Sequence, residues 1–279
     1  MIAPTTHTTC PSCGQEIAGN FCSRCGEKKR GAHHFTLKHF IEESIEGITH
    51  FDGKFFRTIK SLFFKPGSLT RHFEQGRRVS FMKPVQLFIV SNLLFFIIVG
   101  QSNIFAISLG SYLGSPDYKK YGTVSAFNKK VSPEVPFEQV SEVFDVKITS
   151  QSKVYILLFI PVFALVFAVV FFERKRYFTL HLVFATHFFA FLLLYFTLFH
   201  LLIVLPNRYF FRMSPEDFDV LAMAMGLAVF SLYFTFAARR FYEIRWPGAL
   251  IASVAMAFLF LLSLQAYRLF LFYKIIYSI

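Results

Sequence analysis

The feature that most constrains this chain is a set of apolar runs too long for a soluble core and as long as a bilayer demands. A helix rises about 1.5 Å per residue, so crossing about 30 Å of hydrocarbon takes roughly 20 apolar residues. One run covers Val154 to Phe172 and stops at Glu173-Arg174-Lys175-Arg176. Others cover Leu180 to Leu205, Val220 to Ala238, and Pro247 to Ala266. An earlier run starts at Pro84, carries Asn92, and meets Gln101, Ser102 and Asn103 before Ile104. Counting that interrupted run, the pattern predicts about five transmembrane helices. Pro84 and Pro247 suit the first helical turn, where a missing N–H costs nothing.

Composition agrees. Only 16% of the 279 residues are charged and 54% are hydrophobic, including 40 Phe. Soluble domains carry about 25% charged residues, and disorder needs few aromatics, so both classes are excluded. The net charge of +12 is, in so apolar a chain, a topology and headgroup signal. Thirteen Lys and Arg fall in residues 24–83, three follow Phe172, and Arg239, Arg240 and Arg245 lie on the same side. The other side holds five Lys within 110–152, then Lys153, Arg208, Arg212, Arg268 and Lys274. The positive-inside rule then predicts a multi-pass bacterial inner-membrane protein with a cytoplasmic N-terminus and an extracytoplasmic C-terminus. No signal peptide is expected, since the first 35 residues lack an apolar core.

All four cysteines sit in one short stretch, Cys10-Pro-Ser-Cys13-Gly and Cys22-Ser-Arg-Cys25-Gly. Two C-x2-C knuckles, each followed by a turn-permitting glycine, suit one closed tetrahedral site of four thiolates. The expectation is one structural Zn²⁺ held by Cys10, Cys13, Cys22 and Cys25 in a cytoplasmic zinc ribbon over 1–30. A pair of disulfides is disfavoured on a reducing side of the membrane. A redox motif would open a helix in a βαβ unit, for which this head is too short. His7, His33 and His34 read as solvated linker residues.

Residues 31–83 read as basic amphipathic helices. Thr36 to Ile48 has helical apolar spacing, and Asp52 stands where it can cap a second helix that ends before Pro66-Gly67. That helix places apolar residues at 55, 56, 59, 62 and 63, with Lys54, Arg57 and Lys60 off the stripe. A third short helix runs from Ser68 to Gln75. Lys54, Arg57, Lys60, Lys65, Arg77, Arg78 and Lys83 are the candidate groups for anionic headgroups or a cytoplasmic protein partner, with Phe55, Phe56, Phe63 and Phe64 entering the acyl boundary. A packed hairpin with a solvated basic face is the competing reading. Nucleic acid is the weaker partner for Lys28, Lys29 and Arg30, because three cations before a membrane surface make an anionic-lipid patch.

The run Phe51-Asp52-Gly53-Lys54-Phe55-Phe56-Arg57-Thr58 through Lys65-Pro66-Gly67, then Glu74-Gln75-Gly76-Arg77-Arg78 and Met82-Lys83-Pro84, resembles a bacterial family of zinc-ribbon-headed polytopic membrane proteins of unknown function. The resemblance covers about residues 10–98. It implies an architecture (a CxxCG…CxxCG ribbon, this block, then variable spans) and no activity.

The spans hold no HExxH, GxSxG or phosphate-binding GxxxxGK[ST] motif and no acidic residue in their apolar interiors. No catalytic residue is assigned. His181, His187 and His200 do not share one helical face. His181 and His200 lie near span ends and are read as interfacial. His187 and Asn92 are the intramembrane polar candidates, His187 most simply as a neutral histidine bonded to a neighbouring helix, with Asn92, Gln101 or Asn103 as partner. Ala222-xxx-Gly226 and Gly248-xxx-Ala252 read as helix-packing contacts. The segments are then 1–30 ribbon, 31–83 cytoplasmic or interfacial helices, 84–109 first span, 110–152 extracytoplasmic loop and 153–279 four further spans. The expected function is non-enzymatic, a zinc-stapled basic head on an all-α membrane protein that binds anionic lipid or a protein partner. The alternatives are a transporter or lipid-handling component using polar groups of spans one and three, and a membrane enzyme acting on lipid.

Overall fold

The computed structural model describes residues 8–29, 53–100, 105–174 and 177–279. The expected helix over 36–48, the Asp52 cap, the Gln101–Asn103 interruption and His7, His33 and His34 lie outside these. Within the described residues the cysteine head pairs β1 (Thr8–Thr9) antiparallel with β2 (Glu16–Ile17), Thr8 opposite Ile17. The rest is helical: α1 (Lys54–Phe64), α2 (Ser68–Glu74), α3 (Pro84–Ile98), α4 (Leu109–Gly114), α5 (Pro116–Lys119), α6 (Thr123–Lys130), α7 (Phe137–Tyr155), α8 (Phe159–Val170), α9 (Phe178–Phe199), α10 (Pro215–Tyr242) and α11 (Trp246–Ile276).

Four helical stretches are long and apolar enough to cross a membrane: Phe137–Val170, Phe178–Phe211, Asp217–Tyr242 and Trp246–Ile276. The first joins α7 to α8 through a 3-10 turn at Ile156–Leu158, and the second extends α9 through two π-helical turns. The remaining apolar helix, α3, is shorter. It ends at Ile98, and Gly100 turns the chain with φ +73°. Its 15 residues reach only about 22 Å, against a hydrocarbon thickness of about 30 Å. The first apolar run is thus a shorter helix than the segment 84–109.

The chain divides into two compact units. The first joins residues 1–91, 160–192 and 225–253. Its centre is α9, buried continuously from Thr179 to Leu192, as expected of a helix apolar all round. Lipid is as apolar as Leu, so helices in a bilayer associate through shape and close contact. Here phenylalanine supplies the shape. Phe167 of α8 lies 5.2 Å from Phe184 and 5.6 Å from Phe234, and Phe191 stacks on Tyr233 at 3.5 Å. Edge-to-face rings of this kind contribute about 0.5–1.5 kcal/mol per pair beyond area burial.

The hairpin α1–α2 belongs to this unit. Lys65-Pro66-Gly67 makes the turn, with Gly67 at φ +77°. A Cβ at Gly67 would come within 2.5 Å of the Ala237 carbonyl oxygen, so only glycine lets the turn lie against α10. Arg240 donates to the Pro66 carbonyl at 2.8 Å, and Arg71 pairs with Glu243 at 3.1 Å.

The second unit joins residues 92–159, 193–224 and 254–279. Here residues 109–155, which include most of the expected 110–152 loop, are a set of helices. Ser108 and Ser115 cap α4 and α5 with their side chains, and Asp145 accepts the Leu109 N–H at 2.9 Å. Tyr112, fully buried, donates to the Arg268 carbonyl at 2.9 Å, and Tyr267 donates to the Ser152 carbonyl. Tyr273 also donates to the Tyr121 carbonyl. The tyrosines thus pin these helices to the end of α11.

Candidate metal centre and basic face

The two knuckles are built alike. Gly14 and Gly26 adopt φ of +77° and +74°, and their amides return to the carbonyls of Cys10 and Cys22 at 2.9 Å. The turns bring Cys10, Cys13, Cys22 and Cys25 together with all four sulfurs within 4.8 Å of one another. The closest pairs, Cys10–Cys25 and Cys13–Cys22, are 3.5 Å apart. A disulfide needs about 2.05 Å, so these are free thiols. A tetrahedron with metal–sulfur bonds of about 2.3 Å has sulfur–sulfur edges of about 3.8 Å, which falls inside the observed spread.

The crowded sulfurs also perturb one another's protonation. The Cys25 backbone amide, ahead of the opposing desolvation, brings the Cys22 thiol down to about 7. At Cys25 an amide contact from Glu27 lowers the thiol, but desolvation and the other three sulfurs outweigh it and push it up to about 12. Four thiolates cannot coexist this closely without a positive ion among them. The cysteines therefore form a site able to hold one metal ion, and with four protein ligands it would leave no open position for chemistry.

In α1, Thr58, Ser61 and Leu62 face inward, while Phe56, Arg57, Lys60 and Phe64 are exposed. The apolar stripe read from spacing is thus split, with Leu62 inside and Phe56 outside. The cause lies in the small hydroxyl residues. Thr58 donates to the Lys54 carbonyl at 2.7 Å and accepts the Met82 N–H at 3.0 Å, and the Ser61 and Ser68 hydroxyls meet at 2.9 Å. These contacts turn the hydroxyl side of α1 inward. Phe56 and Phe64 are each 78% exposed and flank Lys60 one turn away on either side. Phe63 meets Phe191 at 5.2 Å, a residue about 20 Å along α9 from its start.

Of the candidate cations, Lys54, Arg57, Lys60, Lys65 and Arg77 are exposed, and Lys83 is half-buried. Arg78 is drawn back onto the chain, its guanidinium 3.8 Å from the centre of the Phe73 ring.

His187 is buried and its Nδ1 lies 2.9 Å from the Thr70 hydroxyl of α2. Among the described residues its hydrogen-bond partner is thus this short helix. Asn92 instead donates to the Lys153 carbonyl at 2.9 Å. His181 is buried as well, within 3.0 Å of the Tyr242 hydroxyl, because α10 closes over the end of α9 that sequence alone leaves bare. Thr70 and His187 border a cavity shared with Lys65, Phe184 and Tyr233, with room for about one water molecule.

Residues 52–96 match the protein family described as "Protein of unknown function (DUF3667)". The match takes in α1, α2 and most of α3 and leaves the cysteine head outside. No curated protein and no solved structure matches the chain.

Proposed function

We propose that this is a non-enzymatic bacterial inner-membrane protein whose cysteine head holds one structural zinc ion and whose basic segment binds the anionic leaflet. The observation that carries the reading is the outer face of α1. Phe56 and Phe64 stand exposed on either side of Lys60, on a helix whose inner face touches the middle of α9. A helix so placed meets acyl chains with its rings, while Arg57, Lys60 and Lys65 reach the phosphates. Each cation near an anionic leaflet contributes about 1 kcal/mol, so three suffice for a clear preference.

The positive-inside count puts the head in the cytoplasm and Ile279 outside. The transporter reading finds less support, since His187 is engaged by Thr70 and the space beside it has room for about one water molecule.

The test uses the full chain, delipidated in detergent and titrated with phosphatidylglycerol or phosphatidylcholine under native mass spectrometry. The expected result is preferential retention of phosphatidylglycerol, lowered about fivefold for each of Arg57→Gln, Lys60→Gln and Lys65→Gln. Equal retention of the two lipids would refute the lipid reading. Capture of a soluble partner lost in the same variants would favour a protein ligand instead.

A further inference from the structure

Glu27 is the one carboxylate buried among the described residues, 4% exposed. A buried carboxylate is costly unless its oxygens are hydrogen-bonded, and this one is. Its Oε2 accepts the Ser12 hydroxyl at 2.5 Å and the backbone N–H groups of Arg78 and Val79 at 3.0 and 3.3 Å. The donors come from two places. Ser12 lies between Cys10 and Cys13 in the first knuckle, while Arg78 and Val79 belong to the turn that leads into α3. Glu27 itself is fixed by the second knuckle, where its carbonyl accepts the Cys22 N–H at 2.8 Å. A single oxygen is thus positioned by both knuckles and grips the segment just before the first apolar helix.

We propose that Glu27 is a latch, by which the metal-loaded cysteine head docks on the 76–79 turn, and that metal occupancy decides whether the latch holds. The proposal rests on the metal reading of the four cysteines. So small a module folds on its metal. With the metal gone, the four sulfurs that join the two knuckles lose their common partner, so the Ser12 hydroxyl and the Glu27 carboxylate no longer converge. The carboxylate then returns to water, and the amides of Arg78 and Val79 lose their acceptor. Metal binding at the cysteines is in this way transmitted to the chain entering the membrane, and by linkage the docked turn strengthens metal binding.

The test is hydrogen exchange over residues 76–80 in the full chain, reconstituted in nanodiscs and saturated with Zn²⁺, with metal content measured alongside. Glu27→Ala should keep its metal under saturation yet exchange the Arg78 and Val79 amides at least about tenfold faster, because both lose a hydrogen bond to a charged acceptor. Chelating the metal from the wild type should speed the same amides, and chelation should add nothing further in Glu27→Ala. Should Glu27→Ala fail to accumulate, Ser12→Ala removes one donor without touching the turn and should show a smaller acceleration. Unchanged exchange in the variant that accumulates overturns the latch. So does unchanged exchange in wild-type chain shown to have lost its metal. A wild-type chain that never binds metal overturns the metal reading, and with it the control by metal, while the Glu27→Ala comparison still reads the contact itself.

Discussion

The Thr70 hydroxyl lies 2.9 Å from Nδ1 of His187, joining a seven-residue helix to the interior of the continuously buried α9. Inter-helix hydrogen bonds of this type contribute about 0.6 kcal/mol on average and up to about 1.7. Thr70→Val should lower the thermal midpoint of the purified protein by leaving the imidazole without a partner, and His187→Leu should strand the hydroxyl in the same way. The double variant should lose less than the sum of the two. Strict additivity would show that the pair does not interact.

Gly67 gives a sharper contrast. Gly67→Ala forces a side chain into φ +77° and into the Ala237 carbonyl, a backbone cost of about 1–3 kcal/mol before the clash is counted. Gly53→Ala meets no atom within 4 Å at φ −51° and should be neutral. Thermal melts of the two variants decide the matter, and equal midpoints would contradict the close approach of the α1–α2 turn to α10.

His72 predicts a pH dependence. Desolvation, and then the nearby Arg77 and Lys65 cations, hold its imidazole below the ordinary range, while its ring stacks on Phe81 at 5.0 Å. The unfolded chain takes up the proton near pH 6.5 and the folded chain only at lower pH. The stability that His72 contributes is therefore complete above about pH 6.5 and declines as pH falls below it. Melting curves between pH 8 and pH 5 should show a shallower acid loss for His72→Gln than for the wild type. Parallel curves would remove His72 as the cause.

Topology is open to direct measurement. A reporter fused after Ile279 should behave as periplasmic, one within 173–179 as cytoplasmic, and one within 110–152 as periplasmic. The last of these decides whether the 15-residue α3 crosses. A cytoplasmic signal from the 110–152 reporter would mean that α3 does not.

What sequence could reveal divides by range. The cysteine cluster follows from local spacing, because each knuckle is a closed turn and four sulfurs need a common centre. The four long helices follow from apolar length, except that the first begins at Phe137 and runs through the largely polar residues 137–152, which read as loop. The end of α3 at Ile98 is marked in the sequence by Gly100 and the polar Gln101-Ser102-Asn103 that follow it, but the apolar residues from Ile104 onward carry the expected span on to residue 109. The outward placement of Phe56 escaped the apolar spacing because Thr58 and Ser61, polar by type, take the inner face through their own hydrogen bonds. The Thr70–His187 pair joins residues 117 apart, and no periodicity links them. Glu27 gave no signal beyond its place next to a knuckle glycine, because its partners are a hydroxyl and two backbone amides.

The central claim, that the head is folded on a metal, is tested most directly by elemental analysis of the reduced full chain purified without chelator. One Zn²⁺ per chain is predicted, with Zn–S distances of about 2.3 Å by X-ray absorption. Cys13→Ser should lose that metal and gain a protease-sensitive N-terminal segment while still accumulating in the membrane, because span insertion is driven by lipid burial downstream. A reduced wild-type chain containing no zinc would contradict the account and leave the cysteines as a pair of redox-active C-x2-C motifs.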